Sequence, residues 1–239
     1  MKQTAMARLV PVIPALDAAA RLPATIAALD EGVRSRLIGP WVLADGGSRD
    51  ATREIAQRAG FTIASGATGR GAQLVAGAEA AARLADPEDW LLFLHADTRL
   101  SPGWSSELAR VMEMNAGRDY AFHFRFALDD PSGAAKRLER FVDWRCRAFA
   151  LPYGDQGLVL PLAFYRRLGG FKPWPLFEDV DLVRRIGRRR LKPLRSKAIT
   201  SAERFRREGY LKRSAKNLVL LSRYYLGADP ARLARAYSK

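Results

Sequence analysis

The sequence predicts an α/β fold built on a doubly wound, mostly parallel central sheet. Three observations lead there. Over the first hundred residues, short apolar runs alternate with stretches of helical spacing. The run Trp90-Leu91-Leu92-Phe93-Leu94 is apolar throughout, as a central strand covered on both faces requires. Polar breaks carrying Asp45 and Asp97 directly follow two of the runs, at the strand ends where such sheets bind ligands.

In order, residues 9–13 form a first strand ended by Pro14. Residues 21–37 place Leu22, Ile26, Leu29 and Val33 on one helical face, with Pro23 tolerated in the first turn. Residues 41–44 form a second strand, broken by Asp45-Gly46-Gly47-Ser48; Ser48 is expected to cap a helix running to residue 59, with Asp50 in its first turn. A third strand at 61–64, a glycine-rich loop at 66–71, an alanine-rich helix at 72–84 and the fourth strand at 90–94 complete the alternation. The second half is less regular: a strand at 121–128, helices at 134–149 and 178–188, and a short strand at 157–160. A basic amphipathic helix at 211–226 follows. No repeat, low-complexity tract or linker intervenes. The expectation is one domain, 1–239: residues 8–100, an α+β-like portion at 101–210 completing the same sheet, and a basic helical extension at 211–239.

With 239 residues, 48% hydrophobic and 27% charged, the chain can bury a core without a disulfide or structural metal. Cys146 is alone, which excludes an internal disulfide and fits a reducing compartment. The net charge of +15 is concentrated after Val183 and predicts attraction to polyanions, whether nucleic acid, anionic lipid or diphosphate-bearing substrates, or else a solvated face. No zinc-finger, RNA-recognition or helix-turn-helix signature accompanies it, which weighs against a nucleic-acid partner. No apolar run approaches the ~20 residues that span a bilayer. The expected location is cytoplasmic, with peripheral attachment to the inner face of the membrane open.

Three motifs carry chemistry. Gly69-Arg70-Gly71 opens a helix and offers backbone N–H groups and Arg70 to a phosphate, or is a plain turn. His95-Ala96-Asp97 puts a carboxylate at the end of a central strand, where it suits a hard divalent ion or a turn. His95 is a ligand, a nucleotide partner or a satisfied core histidine. Glu178-Asp179-x-Asp181 begins a helix, so its acids serve either as caps or as a general base.

Five segments in this order resemble the family 2 glycosyltransferases of GT-A fold. They are Val10-Pro11-Val12-Ile13-Pro14-Ala15-Leu16-Asp17, Asp45-Gly46-Gly47-Ser48-Arg49-Asp50-Ala51-Thr52, His95-Ala96-Asp97, Leu168-Gly169-Gly170-Phe171, and Glu178-Asp179-Val180-Asp181-Leu182-Val183-Arg184-Arg185. More narrowly, Gly69-Arg70-Gly71-Ala72-Gln73, Tyr153-Gly154-Asp155-Gln156-Gly157 and Ser201-Ala202-x-Arg204-Phe205 resemble the short bacterial transferases labelled radical-SAM/selenodomain-associated.

The resemblance implies transfer from a nucleoside-diphosphate sugar to an acceptor hydroxyl, metal-assisted and inverting, with residues 8–100 as the nucleotide-binding half and 101–210 as the acceptor and catalytic half. It implies that Asp45 recognises the donor base and that Pro14 and Asp17 lie in the loop packing on the nucleotide. Asp97 matches the last acid of the family's DxD motif, holding Mg²⁺ or Mn²⁺ against the diphosphate. Glu178-Asp179 matches the Glu-Asp pair, with Asp179 as base. Arg204, Arg70, Gly71 and His95 fall on the donor side; Asp155, Gln156 and Trp174 are the acceptor-side candidates. Three departures accompany the match: His95 replaces the first DxD acid, Gly46 stands where many relatives carry Asp, and Val75 where many carry Asn. The basic helix suggests an anionic membrane surface and a lipid-linked acceptor. A nucleotidyltransferase of related architecture is the nearest rival, but Pro14-Ala15-Leu16-Asp17 occupies the place of its glycine-rich signature.

Overall fold

The computed structural model describes residues 7–237. The first half alternates as expected: β1 (Leu9–Ala15), α1 (Leu22–Arg34), β2 (Val42–Asp45), α2 (Thr52–Arg58), β3 (Thr62–Ala64), α3 (Arg70–Leu84) and β4 (Trp90–Phe93). These four strands pair in parallel, β3-β2-β1-β4. The second half contains β5 (Thr98–Leu100), α4 (Trp104–Met114), β6 (Ala121–Leu128), α5 (Gly133–Phe149) and a 3-10 turn, Gly154–Gln156. It continues through β7 (Leu158–Pro161), α6 (Leu162–Arg167), α7 (Glu178–Ile186), β8 (Leu191–Thr200), α8 (Glu203–Glu208), α9 (Tyr210–Tyr225) and α10 (Pro230–Tyr237).

One sheet joins the halves, because β7 lies antiparallel between β4 and β6. β8 then runs parallel to β6, and β5 closes the far edge antiparallel to β8. The doubly wound fold with a second half completing the same sheet is therefore as predicted, and it is a GT-A-type architecture. Alternating residues feed two core layers, as a period of two demands. Val10, Val12, Leu91 and Phe93 face one layer. Leu9, Ile13, Trp90 and Leu92 face the other. In the second layer Trp104 is fully buried and its indole N–H donates to the Ala28 carbonyl at 3.0 Å, locking α4 onto α1.

Some expectations fail for identifiable reasons. Ser48 caps no helix: α2 begins at Thr52, and the Ser48 hydroxyl instead accepts the Asp17 N–H at 3.0 Å. Asp50 serves α2 from outside, its carboxylate accepting the Thr52 N–H at 2.9 Å. β5, α4 and β8 were not anticipated. β8 carries Pro193 and alternating basic residues, and Pro193 sits opposite His123 beside an irregularity in the β6 register, where a missing donor costs little. The basic helix is not a free amphipathic rod, since Leu220 and Leu221 of α9 are buried and the Lys216 ammonium donates to the Tyr237 carbonyl at 3.0 Å.

Gln73 fixes the strand ends on which the site is built. Its buried carboxamide donates to the carbonyls of Ala15 (2.7 Å) and Ala44 (2.9 Å), stitching the ends of β1 and β2 together from α3. This explains Gly46, because a Cβ there would stand 2.8 Å from Gln73 Nε2. One turn on, Gly77 lets α3 settle on the sheet, where a Cβ would meet Val12 Cγ1 at 2.6 Å. Gln73→Ala should cost about 2 kcal/mol through two deprived buried acceptors, lowering Tm by roughly 4–8 °C. Gly46→Ala should destabilise the parent protein yet be nearly neutral in the Gln73→Ala background. Equal penalties for Gly46→Ala in both backgrounds, measured by denaturant unfolding, would disprove the steric coupling.

Candidate active site

A cavity of about 320 Å³ opens beyond the carboxyl end of β4. Its floor holds His95, Asp97, Asp155 and Asp179, with Arg70 and Arg204 at its sides. The chain brings these together from five places: the turn after β4, the 3-10 turn, and the first turns of α3, α7 and α8. Tyr153, Phe205, Arg213, Asn217 and Tyr237 complete the wall.

The acids at the start of α7 are not simple caps. Glu178 is fully buried; its Oε1 accepts from Arg70 Nε, and its Oε2 has no partner. Burial raises the Glu178 carboxyl above its ordinary value against the pull of Arg70. Burial works against the Arg70 charge, but Glu178 and Asp179 together raise its pKa. Asp179 Oδ2 accepts the Gly154 N–H at 2.7 Å and lies 3.7 Å from Arg70 Nη2. A Cβ on Gly154 would stand 3.0 Å from His95 Nε2 and 3.2 Å from Asp179 Oδ2, so a larger residue there would press on both groups. The third acid, Asp181, faces elsewhere: Lys172 and Arg185 bind it at 3.0 and 2.6 Å. Arg185 also donates to the Gly170 carbonyl at 2.7 Å, so one guanidinium joins the Gly169-Gly170-Phe171 loop to α7.

His95 is held neutral. Burial, reinforced by Arg70, lowers its imidazole to about 4 while Asp97 and Asp179 pull the other way. Asp155 moves in the opposite sense: burial raises its carboxyl to about 6, with Arg145 opposing and Asp179 adding. One of its oxygens, Oδ1, is buried without a hydrogen-bond partner.

The remaining predicted residues lie apart from the cavity. Asp45 and Asp17 stand at the ends of β2 and β1 in one hydrogen-bonded loop pair: Asp45 Oδ1 accepts the Ser48 N–H at 3.1 Å and Asp17 Oδ1 the Arg49 N–H at 2.8 Å. Pro14 is a buried residue of β1. Gly71 packs α3 against the 172–174 loop, where a Cβ would meet backbone atoms of Trp174. Two of the acceptor-side candidates are turned away from the cavity. Gln156 is 1% exposed and turned inward, its amide donating to the Phe124 carbonyl at 3.1 Å and its oxygen accepting the Tyr153 N–H at 3.3 Å. Trp174 packs edge-on to Tyr224 under the Lys172 ammonium and does not line the cavity.

Among the described residues no three His, Cys, Asp or Glu side chains converge to cage a metal. The donor set nevertheless fits a hard divalent ion, which binds through one or two carboxylates and takes its other oxygens from substrate phosphate and water. Asp97 lines the cavity and makes no hydrogen bond or ion pair among the described residues, so its carboxylate is available to such an ion.

The sign of the Asp155 shift gives a test. Its folded pKa lies above the unfolded carboxylate value near ~4, so no penalty exists at low pH and a penalty develops as pH rises through about 6. Asp155→Asn should therefore raise Tm by roughly 4–8 °C at pH 8, with the gain vanishing near pH 4. An identical gain at both pH values in calorimetry would contradict the burial penalty.

The comparisons with known proteins bear on the fold and the family. The structure resembles TarS (residues 1–349) of S. aureus in complex with UDP-GlcNAc at a TM-score of 0.62 and 13% identity, over 81% of this chain and 58% of that one. This chain thus spans less than two thirds of the length of that neighbour. It also resembles glucosyl-3-phosphoglycerate synthase from Mycobacterium tuberculosis, in complex with Mn²⁺, UDP and glucosyl-3-phosphoglycerate, at 0.54 and 16% identity, over 82% and 70% of the two chains. Mannosyl-3-phosphoglycerate synthase from Rubrobacter xylanophilus gives 0.52 and 16%, over 85% and 75%. A search of curated proteins returned no match. The model for "Glycosyl transferase family 2" matches residues 12–168, which cover β1 through α6 and the Asp45, Asp97 and Asp155 positions; the chain belongs to glycosyl transferase family 2.

Proposed function

We propose that this protein transfers a sugar from a nucleoside-diphosphate sugar to an acceptor hydroxyl with inversion at the anomeric carbon. The observation that carries the reading is the meeting of Asp97, Asp155 and Asp179 with Arg70 and Arg204 in one cavity beyond β4. A cavity so rich in acids accepts a diphosphate only with added positive charge, and Arg70, Arg204 and a divalent ion on Asp97 provide it. Mn²⁺ and UDP in one structural neighbour, and UDP-GlcNAc in another, support Mg²⁺ or Mn²⁺ and a nucleotide-sugar donor here. The ion, when bound, supplies Lewis-acid stabilisation of the departing phosphate, an effect of several kcal/mol.

In this reading the nucleoside lies over the ends of β1 and β2 against Pro14, Asp17 and Asp45, and the diphosphate lies near the start of α3. Asp179 takes the acceptor proton as the hydroxyl oxygen bonds to the anomeric carbon. The bond from that carbon to the phosphate oxygen breaks, and its electron pair leaves with the nucleoside diphosphate, whose charge Arg204 offsets. The Gly154 N–H and Arg70 aim the base, and neutral His95 fills the place of the first DxD acid without adding negative charge.

A second assignment of the base has its own support. Asp179 already accepts two backbone N–H groups, whereas Asp155 has an oxygen without a partner and a pKa near 6, closer to the optimum for a base at neutral pH. Asp179→Asn should reduce kcat by about 10²–10⁴-fold while nucleotide binding, read by thermal shift with UDP-, GDP-, ADP- and dTDP-sugars and Mn²⁺, persists. Near-normal turnover in folded Asp179→Asn, with collapse in Asp155→Asn, moves the base to Asp155.

No helix among the described residues is long and apolar enough to cross a membrane. The exposed Leu211 and Leu226, with Lys212 and Arg223 of α9, which form no ion pair among the described residues, support peripheral attachment to an anionic inner membrane face. Flotation with phosphatidylglycerol-containing vesicles, but not with neutral ones, is the expected result; absence of flotation with both rejects attachment.

A further inference from the structure

Beside the catalytic cavity lies a second, larger space of about 460 Å³ between α5 and α9. Its walls are almost wholly apolar: Phe126, Leu138 and Val142 on one side, Leu218, Leu221 and Tyr225 on the other. Its inner end is formed by Tyr153, Asp155, Phe205 and Asn217, which also line the catalytic cavity, so the two spaces adjoin at these four residues. Its outer lip is aromatic and open to solvent. Trp144 is 55% exposed and Phe149 63%, and Trp144 contacts both Phe141 and Phe149 at ring separations of 5.7 and 5.6 Å. Such a contiguous exposed apolar surface marks a binding site rather than ordinary surface. Arg137 and Arg140 sit one helical turn before Phe141 and Trp144 on the same faces of α5, and neither forms an ion pair among the described residues. The groove therefore runs from a cationic, aromatic lip through an apolar trough to an acid at the reacting centre.

We propose that this groove holds the hydrocarbon tail of the acceptor, which is a single-chain amphiphile, alkyl or prenyl, whose hydroxyl reaches Asp155 and Asp179. The occupant follows from continuity: a chain lying in the trough ends at the catalytic acids, and the basic lip faces the anionic surface from which a lipid would enter. The assignment rests on the glycosyltransferase reading for the identity of the hydroxyl's role, but tail binding itself is measurable without turnover.

The test uses the full chain and n-alkyl β-glucosides of eight, ten and twelve carbons below their micellar concentrations, with Trp144 fluorescence and calorimetry as readouts. Affinity should rise about 3-fold or more per methylene that enters the groove. Leu218→Asp, at a position already 56% exposed, should lower dodecyl glucoside affinity by about 10-fold or more while leaving the nucleotide-sugar thermal shift intact. Trp144→Ser should weaken it less. Affinity independent of chain length, or unchanged in Leu218→Asp, overturns the proposal. So does a concentration-dependent dimer abolished by Trp144→Ser, since a second copy of the chain would then own the lip. Chain-length-dependent binding with no response to any nucleotide sugar would sustain the tail site and defeat the transferase reading separately.

Discussion

The contact between Arg70 and the Glu178-Asp179 pair is the constraint on which the site depends. It spans 108 residues of sequence and joins the first turn of α3 to the first turn of α7. Because Glu178 is fully buried, the pair cannot be loosened at one end. Removing Arg70 would strand the buried Glu178 carboxylate, whereas Arg70 keeps partial contact with solvent. The same contact sets the bearing of Asp179, and through the Gly154 N–H it fixes the 3-10 turn that carries Asp155. The two sides of the cavity are thus held to one geometry by a guanidinium.

The family resemblance has an uneven footprint on this geometry. The matched stretch ends at residue 168, before Glu178, Asp179 and Arg204. β1 through α6 supply the sheet except for β8, together with Asp97 and Asp155; β8, the opposite wall of the cavity and one side of the apolar groove come from the chain beyond α6.

Much of the fold was legible in the sequence because burial on both faces leaves a plain mark. β1, β2 and β4 are short apolar runs followed by polar breaks, and Asp97 was recognisable from its place after the most apolar of them. β8 was hidden because only Leu191, Leu194, Ala198 and Thr200 of its ten residues are buried, and Pro193 reads as a breaker. Ser48 misled because two loops compete for its hydroxyl, and the β1–α1 loop wins it. Gln156 carries the side chain expected of a sugar ligand, yet three neighbouring backbone and thiol groups use it up within the core. Arg213, Asn217 and Tyr237 were invisible as site residues, since only the return of α9 and α10 over the cavity makes them so.

The far edge of the sheet has a consequence for how the molecule associates. β5 covers only residues 198–200 of β8, leaving the first part of that strand open. An open strand is a template for pairing with another chain. Here the template is spoiled chemically: Glu107 of α4 accepts the N–H groups of Arg195 and Ser196 at 2.7 and 2.8 Å, Pro193 has none to offer, and Lys192 and Arg195 repel a second basic edge. β3, at the opposite margin, is three residues long. With one margin capped by Glu107 and the other only three residues long, neither edge of the sheet offers much template for strand addition.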